Sequence, residues 1–492
     1  MKQRVEPPAP TGAEETAAQA QHRLGPIEFT LLVIGAVIGA DVYVVAGLGA
    51  GLLGPAQLLA WIAAGVLAAL IALAFVQCAI ICPDAGGSYI YARTAFGPLL
   101  GFVAGWALYL GEWIVLPVFP LTFINYLGYF LPQLSSIERD AIAVALVVGI
   151  TAVTIRGMRA SGWTNDVFTV AKLLPLAILT LAGLAATLHH PSVSFNHSRP
   201  FAPFGWGHFG AATVLIFWAF AGFELAVLPA GEVRTPRRTL PRGLIVGMAI
   251  VTLFYLLSSW AVVIAIPSTV AAGSSRPLSD ALGSLFVGFG WPRWLGQICM
   301  SLGGLISIAS VYEVFMLSLS RLSYALASDG LFPAPLARLH PRFSTPYVGL
   351  LFQAIATLVL IPFAGLSSVI SIAVFFLGIC YLFTALAALQ LIHRMPEYRL
   401  HLPGLHVLLV LAAMSGLVLI SQSSPEQLAL GTGLMGLGLL LYALREKTWG
   451  EAAAALGELK AVEPETARWM RLHAGWLLAT RRHLQRLLHR LR

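Results

Sequence analysis

From Leu31 to Tyr442, apolar runs of about 20 residues alternate with short polar stretches marked by Pro, Gly and charge. A helix of that length crosses a hydrocarbon core about 30 Å thick, so each run predicts a transmembrane helix. The runs begin near residues 27, 56, 98, 140, 165, 211, 243, 294, 347, 367, 404 and 428. They predict an all-α polytopic membrane protein with about 12 transmembrane helices in a single membrane domain, residues 27–444. Residues 1–26 read as a polar, Pro/Ala/Glu-rich cytoplasmic tail, since no basic region feeds a short apolar core as in a cleavable signal. Residues 445–492 form a basic cytoplasmic tail. In it Trp469, Leu472, Trp476, Leu484, Leu487, Leu488 and Leu491 recur at helical spacing between Arg and His, so the segment reads as a headgroup-bound amphipathic helix or a solvated tail.

Composition agrees: 58% of the 492 residues are hydrophobic and only 11% charged, with a mean hydropathy of +0.82, far from the roughly one-quarter charged content of soluble domains. With both termini cytoplasmic, 25 of the 30 basic residues fall inside, four fall outside, and Lys172 lies within a span. This bias orients the chain in the cytoplasmic membrane, and the net charge of +8 reflects topology and calls for no nucleic acid. Cys78, Cys82, Cys299 and Cys380 lie in or beside spans and offer neither a disulfide framework nor a zinc spacing. His189, His190, His340, His393 and His401 sit in loops, with no nucleophile and base to pair in one place. Neither an enzyme, a metal nor a cofactor is indicated.

Two spans carry breaks. The first reads LLVIGAVIGADVYVVAGLGAG (31–51), with Gly35, Gly39 and Gly47 around Asp41; the sixth reads VLIFWAFAGFELAVLPAGE (214–232), interrupted by Gly222, Glu224 and Pro229. Irregular backbone at mid-depth is tolerated only where protein or a water-filled cavity supplies hydrogen-bond partners. If the core is two five-helix repeats, the two breaks occupy corresponding places, the arrangement of an alternating-access site near the midplane. Half-helix N-termini there offer N–H groups to an anion and exposed carbonyls accept from an ammonium. Close helix packing is the alternative use of each glycine.

Five ionisable residues fall inside spans: Asp41, Glu112, Lys172, Glu224 and Glu313. Each costs about 2.5–3.5 kcal/mol at a helix centre on insertion scales. Four acids against one base leave an excess of three negative charges, which predicts protonation or a bound cation in a low-dielectric core. Pro175 lacks the N–H that would bond the Ala171 carbonyl, which loosens the turn that carries Lys172.

Several stretches resemble the amino acid/polyamine/organocation superfamily of permeases, with its LeuT-like architecture. They are GAVIGADVYVVAG (35–47), PDAGGSYIYARTAFGPLLGFVAGW (83–106), AKLLPL (171–176), FWAFAGFE (217–224), EVRTPRRTLPR (232–242) and SRLSYALASDGLFPAPLARLHPRFSTP (320–346). The resemblance implies a core of two inverted five-helix repeats plus two further helices. It places the substrate between Ile38, Gly39, Ala40 and Asp41 of the first span and Trp218, Ala219, Phe220 and Ala221 of the sixth. First-span amides would hold a substrate carboxylate and sixth-span carbonyls its amine, with Trp218 and Phe220 stacking on a side chain or packing as ordinary apolar residues.

Family members usually carry glycine where this chain has Asp41. A carboxylate there repels another, so its side chain turns away, is protonated, meets a substrate amine, or caps the second half-helix. The resemblance further implies coupling or gating roles for Lys172, Glu224, Glu112 and Glu313. Lys172 stands where sodium-dependent relatives hold the ion, and serves either as a proton-exchanging group or as a strut to first-span carbonyls. The implied function is secondary active transport of amino acids or related organic amines by alternating access, proton-coupled or by exchange, with protons and membrane lipids as partners. A carrier selective for cationic amino acids or polyamines and a nutrient sensor on a transporter fold are the alternatives.

Overall fold

A computed structural model describes residues 24–82, 86–157, 162–189, 198–226, 233 and 235–448. The amphipathic stretch at 469–492 lies outside the described residues, as do the rest of the tail beyond Thr448, Pro229, residues 1–23 and part of the loop motifs at 83–106 and 232–242. The first span is two helices, α1 (Pro26–Val37) and α2 (Ala40–Leu53), followed by α3 (Gln57–Ile81), α4 (Ser88–Phe96), α5 (Pro98–Ile114) and α6 (Val118–Leu127). Then come α7 (Ser136–Ile155), α8 (Gly162–His189), α9 (Phe209–Phe217), α10 (Phe223–Ala226), α11 (Pro236–Ala265), α12 (Ser268–Gly273) and α13 (Pro277–Gly288). The chain closes with α14 (Arg293–Ser328), α15 (Tyr347–Leu360), α16 (Leu366–Arg394), α17 (Leu405–Ser421) and α18 (Pro425–Thr448).

Among the described residues, eight helical stretches are long and apolar enough to cross a membrane, and Pro26–Val37, Tyr347–Phe363 and Leu405–Ser421 are shorter apolar helices. The protein is therefore a polytopic all-α membrane protein. Helix starts follow the hydropathy pattern closely at most positions. The exception is α11, which begins at Pro236 in place of 243 because Pro at the first helical position extends it through a polar first turn.

Polar ends are tied by local chemistry. Glu28 accepts from the Gly25 N–H at 2.6 Å, and at the head of α7 Ser135 and Glu138 cap each other's backbone. Leu24 pairs with Val233 in a parallel bridge, joining the chain entering the first span to the chain leaving the sixth.

The core gathers around α2, α3, α5, α9, α14 and α16. Val407, Val410 and Met414 of α17 and Leu430, Leu437 and Leu440 of α18 are exposed, the apolar outer surface a bilayer solvates. Cys78 is buried with its Sγ 3.6 Å from the Thr384 carbonyl oxygen, and Cys82 and Cys380 are buried too.

Candidate functional site

The two breaks are narrow and touch each other. The Ile38 N–H closes the last turn of α1 on the Ile34 carbonyl, Ile38 itself is extended (φ −76°, ψ 106°), and Gly39 (φ −141°, ψ −141°) starts α2. The sequence centres the first break on Gly39, Ala40 and Asp41; the structure moves it one residue back, so Ala40 and Asp41 already lie in the first turn of α2. In the sixth span a 3-10 turn, Trp218–Phe220, ends at extended Ala221, and Gly222 at φ +110° turns the chain into α10.

Gly222 is there for two reasons. Its φ is one that side-chain-bearing residues avoid, and a Cβ would stand 2.5 Å from the Ala36 carbonyl oxygen of α1. Gly39 meets the same demand on its other side, where a Cβ would stand 2.7 Å from Val311 Cγ1 of α14. The breaks thus sit wedged between each other and the eighth span.

A helix that stops mid-core leaves its last carbonyls without intrahelical partners. Lys172 Nζ donates to the Gly35 carbonyl at 3.3 Å, and Tyr255 Oη donates to the Val37 carbonyl at 3.1 Å. The strut geometry weighed for Lys172 is therefore present, and Tyr255 is a second prop that no sequence signal singles out. A cation also complements the negative end of the α1 dipole.

Asp41 is buried, and its carboxyl lies against the N–H groups of Gly39 and of Asp41 itself, with Oδ1 lacking any protein partner. It thereby lies in the N-terminal turn of α2. On α14, Gly304 packs against Tyr43 and Val311 against Gly39, and the buried Ser307 hydroxyl between them also lacks a partner. Asp41 Oδ1 and the Ser307 hydroxyl are thus both buried without a protein partner.

Trp218 and Phe220, paired in the sequence reading, face different walls. Trp218 meets Phe119 edge-on at 6.4 Å, and Phe119 stacks on Tyr312 at 5.4 Å and contacts Phe315 at 5.0 Å. Phe220 instead joins Trp61 at 6.1 Å and Tyr255 at 5.4 Å, a closed aromatic cluster between α3 and α11. Its position is that of the ordinary apolar packing alternative.

The five embedded charges form one electrostatically connected set. Asp41 interacts with Lys172 and Glu224, Lys172 with Glu313, and Glu224 with Glu112. Tyr381 Oη of α16 donates to Glu224 Oε1 at 3.2 Å. Glu313 differs from the rest in being only partly buried. No group of three or more His, Cys, Asp or Glu suited to a metal occurs among the described residues.

Ile38, Trp218, Ala219, Phe220 and Ala221 are all buried. A separate groove of about 460 Å3 runs between α3 and α11, lined by apolar residues and flanked by the exposed Val66, Ile245 and Leu253. It contains none of the predicted site residues and faces where lipid would be.

Two broken helices back to back, with buried charge around them in a polytopic core, are the features of a carrier, and the amino acid permease family profile matches residues 24–444. The chain belongs to the amino acid permease family. As such it is a membrane transporter of amino acids or related organic solutes. This permease is 28% identical over 349 residues to the branched-chain amino acid permease BcaP of Bacillus subtilis (strain 168), a match covering 68% of this chain and 72% of that protein. It is 27% identical over 437 residues to an uncharacterized transporter of Mycobacterium tuberculosis, covering 89% and 94% of the two chains. To the Homo sapiens cationic amino acid transporter 4 it is 28% identical over 387 residues, covering 75% of this chain and 59% of that longer protein.

Proposed function

We propose that this permease carries an amine-bearing organic solute by alternating access across the cytoplasmic membrane, with both termini cytoplasmic. The solute sits between Ile38–Gly39–Ala40–Asp41 and the 218–221 segment, with its amine at Asp41 Oδ1. The observation that carries this reading is the placement of Asp41. Its carboxyl already covers the N–H groups at the head of α2, so the acceptor left over, Oδ1, suits a cation and disfavours a second carboxylate. Trp218 walls the site, and Ala219 and Ala221 leave room beside the backbone carbonyls. Lys172, Glu224, Glu112 and Glu313 couple or gate the cycle, through protons or by exchange.

Selectivity for cationic amino acids or polyamines is the second reading, favoured by four embedded acids against one base and by the name of the human relative. The name of BcaP points instead to branched-chain amino acids. Counterflow in proteoliposomes with radiolabelled leucine, lysine and putrescine separates these. Asp41→Gly raises leucine counterflow and abolishes that of the amines under this reading; no change in either returns Asp41 to a structural cap. Saturable binding with no counterflow under any pH gradient sinks the carrier reading in favour of a sensor.

A further inference from the structure

The groove between α3 and α11 has a floor and two rims. Gly65, Ala72 and Met248 at its base are buried, whereas Val66, Ala69 and Ala249 along its edges are exposed. From Pro241 to Leu256, the first and last α11 residues that line it, the groove runs about 22 Å along the helix. One leaflet of a bilayer's hydrocarbon is about 15 Å deep, so a single lipid tail fits within that length. The volume of about 460 Å3 spread over it leaves about 20 Å2 of cross-section. One hydrocarbon chain fills that width, whereas a helix with its side chains, about 10–12 Å across, is several times too broad.

One end of the groove carries charge. α11 begins at Pro236, and Arg238 and Arg242 are exposed on its first two turns. Positions 238, 242, 245 and 249 recur at helical spacing and share one face. Ile245 and Ala249 of that face line the groove, so the two arginines stand in line with it at its Pro241 end. Among the described residues neither forms an ion pair. Glu28 of α1, whose neighbour Phe29 packs at Gly243, is turned back onto the Gly25 N–H. The same end of α11 is its N-terminus, where the helix dipole is positive.

We propose that this groove binds one acyl chain of an anionic phospholipid, with its phosphate held by Arg238 and Arg242. The apolar wall and the basic end match the two parts of such a molecule, in that order along the helix. Under the orientation given above it is a lipid of the cytoplasmic leaflet, where anionic headgroups attract basic residues that flank a span. The site holds whichever solute is carried and goes beyond the transport reading.

The tail lies close behind the sixth-span break. A Cβ on Gly65 would stand 2.8 Å from Thr252 Cγ2 and 3.4 Å from Phe220 Cζ. Phe220 packs with Trp61 and Tyr255, and Tyr255 Oη holds the Val37 carbonyl. A chain resting on Gly65 and Thr252 covers that cluster from outside and fastens α3 to α11 across it. Because it binds the folded protein, it raises the stability of that state.

Native mass spectrometry of the full-length protein, delipidated in detergent and titrated with palmitoyl-oleoyl phosphatidylglycerol or phosphatidylcholine, tests this. One phosphatidylglycerol is expected to bind on the order of tenfold more tightly than phosphatidylcholine, since each arginine adds attraction for an anionic headgroup. Arg238→Gln combined with Arg242→Gln abolishes that preference. Ala69→Phe combined with Ala249→Phe fills the groove from exposed positions and keeps both arginines, yet it too removes the tight binding. Thermal unfolding shifts upward with phosphatidylglycerol in the wild-type protein and in neither double variant. Equal affinity for the two lipids, or phosphatidylglycerol binding undiminished by the two phenylalanines, overturns the proposal. So does displacement of phosphatidylglycerol by equimolar cholesterol, which gives the groove to a sterol. A dimer that dissociates only in the phenylalanine variant gives it to a second copy of the chain and overturns the proposal as well. No step involves a transported solute, so failure of the carrier reading leaves these outcomes untouched.

Discussion

Gly222→Ala is the sharpest perturbation of the contact between the two breaks. An alanine at φ +110° stores about 1–3 kcal/mol of backbone strain. Its Cβ would also stand 2.5 Å from the Ala36 carbonyl oxygen, with the Ala36 carbonyl carbon at 3.1 Å and Val37 Cα at 3.5 Å. The shortest of these is about 0.8 Å inside an ordinary C···O approach. All three atoms are backbone, so no rotamer change relieves them and the half-helices must part. Overpacking of this kind adds about 1–3 kcal/mol.

Gly404→Ala is the matched control, because Gly404 also has positive φ (+70°) but a Cβ added there would meet nothing within 4 Å. It bears the strain alone, about 1–2 kcal/mol. Thermal unfolding in detergent measures both, and proteoliposome counterflow gives the functional half. The Gly222 variant is expected to be the less stable by about 1–3 kcal/mol. Its transport is expected to fall on the order of 100-fold, since a displacement of about 1 Å at a positioned site costs that much, while the Gly404 variant transports normally. Stabilities equal within about 0.5 kcal/mol, together with undiminished counterflow in the Gly222 variant, would refute the argument that the breaks need backbone-to-backbone contact.

The wedge of α14 against the first break predicts that Gly39→Ala destabilises the protein by about 1–3 kcal/mol and that Val311→Ala, by removing Cγ1 and Cγ2 at 2.7 and 3.0 Å from the new Cβ while keeping its own Cβ at 3.0 Å, restores part of it. A thermal-unfolding double-mutant cycle with no coupling between the two positions contradicts the wedge. On the loop side, Arg93 pairs with Asp329 at 37% and 29% side-chain exposure, so a double-mutant cycle on that pair is expected to return no more than about 1 kcal/mol of coupling. Tyr89 donates its hydroxyl to the same Asp329 and is itself buried, so Tyr89→Phe, measured by the same unfolding assay, is expected to cost at least as much as that coupling; a negligible loss counts against the shared network.

Much of this protein is local information. Hydropathy along the chain was enough to predict a polytopic all-α membrane protein and the starts of most of its long apolar helices, though not the short helices α4, α6, α10, α12 and α13, because solvation by a bilayer acts on each span separately. Glycine and an acid within apolar runs located both breaks, since backbone strain and buried charge leave marks in a single segment. Motifs on either side carried the family, which the profile match over residues 24–444 bears out.

What pairs across the bundle was not legible. Tyr255 and Tyr381 supply hydrogen bonds to Val37 and Glu224 from spans without any motif, and Arg93 finds Asp329 across 236 residues. The Asp41 side chain folds onto its own half-helix, and Trp218 and Phe220, two residues apart, face opposite walls. These outcomes depend on how far each helix is rotated and how closely it approaches its neighbours. Contacts such as Gly222 on Ala36 and Gly39 on Val311 set both, and such contacts exist only once the spans have packed.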